Sequence, residues 1–427
     1  MKFTDMALSA PLQLALKEAG YETPTPIQEQ AIPIILAGQD LLGVAQTGTG
    51  KTAAFCLPVL QILAKNHLQK EPKCPRTLIL TPTRELAIQI HQNLVTYGKH
   101  LKMRYAVIYG GVGQGNQARD LSNGVDVLVA TPGRLMDLFS QKLLRLDKVE
   151  IFILDEADRM LDLGFIQDIK RILPLMPKKR HNLFFSATMA PEVQRLASGI
   201  LHDPKKVEVT PQATTAEKID QSVMFVEKSK KLELLVHLLQ DDTLSRVLVF
   251  MQMKHGADRV VDKLLKNGIS TAGIHGDKSQ GARQRALEEF RAGKVRVLVA
   301  TDIAARGLDI DEISHVINYE LPHIAESYVH RIGRTARAGA EGKSIAFCTA
   351  DEKSFLHAIE KTTRQRITVI EDHPFHSAES ANAPVVSVGK AKAAIEKRHQ
   401  QPGGLGDKPK KRISHLNKKK FGFKKKS

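Results

Sequence analysis

The chain has 427 residues, 42% of them apolar, with 63 Lys+Arg against 46 Asp+Glu and a formal charge of +17. That length allows two or three domains with sizeable cores, and the basic balance points to a polyanionic partner, nucleic acid or an anionic surface. Cys56, Cys74 and Cys348 form no C-x-x-C pair, which excludes the usual zinc or dithiol motifs, and no apolar run approaches the ~18 residues of a membrane-crossing helix; a soluble cytoplasmic protein with reduced thiols and no membrane partner is expected.

In chain order, the first half alternates short β-rich runs with helical patterns. Strands are predicted near Asp40–Ala45, Thr77–Leu80, Tyr105–Tyr109, Val125–Ala130, Ile151–Leu154 and Leu183–Phe185. Most are continuous apolar runs, as in strands covered on both faces, and the alternation predicts βαβ units around a parallel sheet. The first run leads into Ala45-Gln46-Thr47-Gly48-Thr49-Gly50-Lys51-Thr52 and then a helical stretch. This is close to the phosphate-loop pattern G-x-x-x-x-G-K-[ST], with Ala45 in place of the first glycine. Glycines let backbone N–H groups turn inward around phosphate, and the helix N-terminus adds partial positive charge. Lys51 is placed to reach the β- and γ-phosphates, and the Thr52 hydroxyl to ligate Mg²⁺.

The fifth run, Ile151–Leu154, ends in Asp155-Glu156-Ala157-Asp158. A carboxylate at the C-terminal end of such a strand sits where open α/β sheets bind ligands. Asp155 is the candidate holder of Mg²⁺, and Glu156 the candidate that orients and deprotonates the attacking water.

Residues 207–218 break the rhythm and read as a linker. A second series follows at Ser222–Val226, Val247–Met251, Thr271–Ile274, Val295–Ala300, His315–Asn318 and Ser344–Phe347. Two α/β halves of similar rhythm suggest a duplicated architecture. Residues 384–427 carry 14 Lys/Arg against 2 Asp/Glu, which supplies +12 of the +17. The segment 374–427 is therefore expected to be a disordered basic tail. Its clusters Lys408–Arg412, Lys418–Lys420 and Lys424–Lys426, with Phe421 and Phe423, suit a sequence-independent, salt-sensitive RNA anchor.

Asp155-Glu156-Ala157-Asp158 spells the DEAD signature, and the ordered motifs from Phe3 to Gly339 resemble those of the DEAD-box ATP-dependent RNA helicases, most like the bacterial RhlE-type members. The resemblance implies two tandem RecA-like domains, ATP with Mg²⁺ as cofactors, and single-stranded and duplex RNA as partners. It divides the chain into an adenine-sensing segment (1–30), a first domain (31–206), a linker (207–217), a second domain (218–373) and the tail. By resemblance Gln28 hydrogen-bonds the adenine edge, Tyr21 stacks on it and Phe3 buttresses the site; a carboxamide can indeed pair with both groups of that edge.

Pro82-Thr83-Arg84-Glu85-Leu86-Ala87, Gly110-Gly111 and Thr131-Pro132-Gly133-Arg134 resemble the family's RNA-facing motifs of domain 1. Each follows a predicted strand, so all three share one sheet edge, and none needs to read base sequence. Ser186-Ala187-Thr188 matches the motif that links hydrolysis to strand separation. In domain 2, Gln280, Arg283 and Thr301 resemble further family contacts; the resemblance puts Arg283, Thr301 and Arg306 on the RNA side and implies that Asp309 contacts the ribose. Arg334 and Arg337 resemble arginine fingers, three apart and on one face if the segment is helical. The family implies domain closure around ATP and RNA, with ribosomal-precursor or RNA-decay complexes as partners and a monomer as the simplest state. An ATP-driven clamp and a non-enzymatic RNA-binding scaffold share these motifs and stand as alternatives.

Overall fold

The computed structural model describes residues 1–46, 48–66, 71–209, 219–302, 313–335 and 342–400. The first half holds β1 (Leu41–Val44), β2 (Thr77–Leu80), β3 (Tyr105–Ile108), β4 (Val127–Ala130), β5 (Ile151–Leu154), β6 (His181–Ser186) and β7 (Lys205–Glu208). They form one seven-stranded sheet in the order β3-β4-β2-β5-β6-β1-β7, every pair parallel. The second half holds β8 (Ile219–Phe225), β9 (Val247–Met251), β10 (Thr271–Ile274), β11 (Val297–Thr301), β12 (His315–Asn318), β13 (Gly342–Cys348) and β14 (Thr368–Val369). Their order is β10-β11-β9-β12-β13-β8-β14, again all parallel. Strand for strand, this is the first order repeated. The duplication suggested by the rhythm lies in the topology.

Helices cover both faces, so the central strands are buried on every residue. Alternate side chains feed two cores. Ile79, Val127, Val129, Ile153 and Phe185 pack on one face, while Leu78, Leu80, Leu128, Phe152 and Phe184 pack on the other. All three cysteines are free and buried. Among the described residues, no helix is long and apolar enough to cross a membrane.

Two expectations need correction. The first domain does not stop at residue 206: β7 crosses that boundary, pairs with β1 in the register Gly43↔Val207, and continues with Val209 N donating to the Val44 carbonyl at 3.0 Å. Its pattern is hidden because it is an edge strand with a single buried side chain. The remaining linker residues, 210–218, lie outside the described residues.

The second correction concerns the tail. Residues 374–400 are ordered against domain 2. Ser377 N donates to the Phe225 carbonyl at 3.0 Å, Ser380 Oγ to the Val226 carbonyl at 3.2 Å, and Val386 N to Ser354 Oγ at 3.0 Å. The helix Val388–Gln400 lays Val388, Ala391 and Ile395 beside Phe355 and Ile359. That stripe is narrow and partly made of small residues, so composition hides it behind the basic face. Residues 401–427 lie outside the described residues.

A chain truncated after residue 373 should therefore melt more than about 5 °C lower than one truncated after residue 400, because it loses several half-buried apolar side chains. Equal melting temperatures would restore the solvated-tail reading.

Candidate nucleotide and RNA site

The strand order sorts the motifs. The loops after β1 and β5 and the end of β6 carry the phosphate loop, Asp155-Glu156 and Ser186-Ala187-Thr188, and β5, β6 and β1 are adjacent. The loops after β2, β3 and β4 carry Pro82–Arg84, Gly110-Gly111 and Thr131–Arg134, and β3, β4 and β2 are adjacent. One half of the carboxyl edge thus serves phosphate chemistry and the other half the proposed strand contacts, as expected where strand order reverses in an open α/β sheet.

The phosphate loop turns through left-handed glycines, Gly48 at φ 85° and Gly50 at φ 91°, and then opens the helix Lys51–Lys65. Thr49 Oγ1 donates to the Gln46 carbonyl at 2.7 Å, and buried Lys51 Nζ donates to the Ala45 carbonyl at 2.6 Å, laying the ammonium across the loop. Thr52 is half-buried on the first helical turn. Thr47 lies outside the described residues. A Cβ on Gly50 would stand 2.3 Å from Gln28 Nε2, so a glycine is required where the adenine-sensing helix crosses the loop.

Gln28 is buried on the helix Pro26–Leu36. Its Oε1 accepts from Thr25 N at 2.9 Å and its Nε2 donates to the Gly50 carbonyl at 3.0 Å. The carboxamide expected to read adenine is therefore also a strut between that segment and the phosphate loop. Tyr21 keeps an exposed face and meets Tyr97 edge-on, with centroids 5.8 Å apart. Phe3 is buried, and its N–H donates to the Glu22 carbonyl at 3.1 Å, tying the chain start to the segment.

Asp155 is fully buried, and burial pushes its pKa up to about 7, with Lys51 opposing and Glu156 adding to the rise. A buried carboxylate this short of compensating charge is a fit for a cation. Among the described residues, no group of three or more His, Cys, Asp or Glu is placed to hold a metal alone. One hydroxyl (Thr52) and one carboxylate (Asp155) beside a phosphate cradle is the donor set Mg²⁺ accepts, because it keeps water and phosphate oxygens in its shell. ATP with Mg²⁺ therefore fits the residues present.

Glu156 sits at φ 51°, a left-handed backbone rare outside glycine, which turns it back over the strand ends. Burial alone would raise its pKa, but Arg159, Lys51 and Arg334 outweigh burial and hold it below the usual carboxylate range. Arg159 Nη1 lies 2.6 Å from Glu156 Oε2. Asp158 grips the third motif: its Oδ2 accepts from Ala187 N at 3.2 Å, Thr188 N at 2.9 Å and Thr188 Oγ1 at 3.1 Å.

On the other half of the edge, Thr83 caps the helix Arg84–Tyr97, accepting from Leu86 N at 3.4 Å. Buried Thr131 precedes the helix Pro132–Ser140, whose Gly133 is exposed, so two helix N-termini face the expected strand path. Arg84 lies on Gly111, where a Cβ would fall 2.2 Å from Arg84 Nη1. Arg134 differs from expectation. Its guanidinium is taken up by Gln117 Oε1 at 3.0 Å, the Val112 carbonyl at 2.9 Å and Asp137 at 3.4 Å, so it shapes the loop after β3.

In domain 2 the helix Ala325–Ile332 ends before Arg334, which corrects the shared-helix-face reading of Arg334 and Arg337. Arg334 is buried in the following turn, and Arg306, Asp309 and Arg337 lie outside the described residues. Thr301 ends β11, buried. Arg331, which the sequence did not single out, is fully buried. It takes both Asp302 oxygens at 2.7 Å, Asn318 Oδ1 at 3.1 Å and the Glu320 carbonyl at 2.7 Å, over the Phe250 ring. Arg283, expected on the RNA side, places Nη2 2.8 Å from Glu85 of the first half. Arg159 was missed, and Glu85 and Arg331 were read only as members of motifs with no role of their own, because each acts by pairing with another protein group.

The DEAD/DEAH box helicase family model matches residues 25–196, and the helicase conserved C-terminal domain matches residues 230–339. The CshA RNA helicase of Limosilactobacillus reuteri is 42% identical over 367 residues, spanning 86% of this chain and 73% of that protein. The chain belongs to the DEAD/DEAH box helicase family. The RhlB helicase of Shewanella piezotolerans is also 42% identical, over 86% of this chain and 85% of its own.

Among solved structures, Saccharomyces cerevisiae Dbp5 bound to RNA and ADP BeF3 matches the helicase with TM-score 0.75 at 30% identity, covering 92% of this chain and 98% of that one. A DEAD-box protein of Methanococcus jannaschii is more similar in sequence, at 36%, yet reaches only 0.51 over 87% of this chain and 99% of that one.

Proposed function

We infer that the protein is an ATP-dependent RNA helicase. It hydrolyses ATP in an RNA-stimulated manner and opens short RNA duplexes locally by closing two RecA-like domains around ATP-Mg²⁺ and one RNA strand. The observation that carries this reading is the meeting of halves: Glu85 of domain 1 stands 2.8 Å from Arg283 of domain 2, and Arg334 of domain 2 adds a small pull to the lowered pKa of Glu156 in domain 1. Neither domain alone assembles that pair, so turnover depends on closure. Closure also brings the domain 1 loops with Arg84, Gly111 and Gly133 against the domain 2 side carrying Arg283 and Thr301.

Mg²⁺, which Thr52 and Asp155 would hold, would supply positive charge that offsets the phosphates. Lys51 and the loop N–H groups bind and orient the phosphates. Glu156, held below the ordinary carboxylate range and pinned by Arg159, is a weak base; it accepts a hydrogen bond from the attacking water and aims it. Arg334 stabilises charge that develops on the γ-phosphate oxygens. Asp158 carries the site's geometry to Ser186-Ala187-Thr188 through three hydrogen bonds.

Gln28 and Tyr21 support preference for ATP over GTP. The buried free thiols suit a cytoplasmic setting. RNA in ribosomal precursors or decay complexes is a fitting target class, since Thr83, Arg84, Gly111 and Thr131 suit the sugar-phosphate backbone better than base edges.

Steady-state ATP hydrolysis with and without single-stranded RNA tests the reading. RNA should stimulate turnover at least tenfold, and Lys51→Ala should abolish it. Hydrolysis indifferent to RNA would sink the helicase assignment. Strand displacement on matched RNA and DNA duplexes separates it from an ATP-driven clamp, which would hydrolyse without displacing.

A further inference from the structure

The turn that carries Tyr21 is held at both ends from one helix terminus. The helix Ala10–Glu18 closes in a Schellman turn: Gly20 adopts φ 76°, its N–H donates to the Lys17 carbonyl at 3.1 Å, and Tyr21 N donates to the Leu16 carbonyl at 2.9 Å. At one end of this turn Glu18 Oε2 accepts from Lys99 Nζ at 2.7 Å and lies 3.1 Å from His100 Nε2. At the other end the Tyr21 ring meets the Tyr97 ring, with planes 83° apart. Tyr97, Lys99 and His100 all stand at or just past the C-terminus of the helix Arg84–Tyr97. That terminus is firmly seated. Tyr97 is 3% exposed and packs in the core with Phe3, Leu12, Leu16 and Leu94, whereas Tyr21 is 40% exposed. A Cβ on Gly98 would collide with Tyr105 Oη, so the residue after Tyr97 lies flush against β3.

We propose that Tyr97 is a positioning residue that holds the Tyr21 ring ready to stack on the nucleotide base, and so sets the affinity for ATP without touching it. Three physical points support it. A ring as exposed as Tyr21 samples several rotamers unless something fixes it, and ordering it at the moment of binding would weaken the site. The perpendicular contact is attractive through the ring quadrupoles, and it fixes Tyr21 while leaving its exposed face open to a base. The two phenol oxygens are 3.4 Å apart, too long for a good O–H···O bond, so the ring of Tyr97 carries the contact and its hydroxyl does not. A base contact changes little as the γ-phosphate reacts. The clamp therefore acts alike on substrate and transition state, and it enters KM and not kcat.

The proposal rests on reading Tyr21 as the stacking face for the base, and the test separates the two. ATP hydrolysis at saturating single-stranded RNA is compared for the wild type, Tyr97→Phe, Tyr97→Leu, Tyr21→Ala and the double Tyr21→Ala/Tyr97→Leu. Tyr97→Leu keeps apolar bulk in the core but removes the ring. It should raise KM for ATP about two- to tenfold, the worth of an edge-to-face pair, with kcat unchanged. Tyr97→Phe keeps the ring and should restore the wild-type KM. The double variant should be no worse than Tyr21→Ala, since both changes break one contact. A wild-type KM in Tyr97→Leu, a fall in kcat in place of the rise in KM, or losses that add in the double variant would overturn the clamp. So would a Tyr97→Phe protein as impaired as Tyr97→Leu. An unchanged KM in Tyr21→Ala would overturn the base-stacking reading itself, and the clamp with it.

Discussion

Glu156→Gln should lower ATP turnover by about 10²–10⁴-fold, the range for loss of a positioned acid–base group, while leaving ATP affinity nearly unchanged. The amide keeps the size and the left-handed turn at φ 51°, so the loop survives. It loses the charge that Arg159 Nη1 meets at 2.6 Å and exchanges one acceptor oxygen for an NH₂ donor, so the carboxylate that aims water is gone. Since closure requires bound ATP and not its hydrolysis, the variant should hold RNA with ATP for far longer than the wild type does. Single-turnover hydrolysis and RNA dissociation rates check both halves. Turnover within threefold of the wild type would remove Glu156 from the water-positioning role.

Arg334→Ala should cost ~10³-fold or more in kcat, the order expected of an arginine finger, with RNA binding in the absence of nucleotide unaltered. Arg334 is buried beyond the end of the helix Ala325–Ile332 and acts on Glu156 from the opposite domain. The loss is of charge stabilisation at the phosphate; Arg159 and Lys51 still hold the Glu156 pKa down. Arg334→Lys should recover little, because an ammonium lacks the planar fork of donors. A lysine variant with near-normal kcat would show that position 334 supplies charge alone.

How legible each part was depended on the range of its contacts. The strands Thr77–Leu80, Ile151–Leu154, Val247–Met251, Thr271–Ile274 and His315–Asn318 were readable to the residue. Strands covered on both faces leave unbroken apolar runs. The edge strands Lys205–Glu208 and Thr368–Val369 were invisible, since they bury one side chain and none. The helix Val388–Gln400 was masked by its own charge: its buried stripe is Val388, Ala391 and Ile395 amid lysines.

The same division runs through the site. The amino-acid sequence by itself determined the phosphate loop, the Asp155-Glu156 pair and the family's ordered motifs, because each is a run of neighbours whose chemistry is local. Only the tertiary structure decided which charges meet. It committed Arg134 to its own loop and buried Arg331 on Asp302. It brought Glu85 to a glutamine 195 residues away. Residue type and spacing say what a side chain can do. Whether a charge faces water, a ligand or an opposite charge depends on which surfaces desolvate together, and folding and domain closure alone set that.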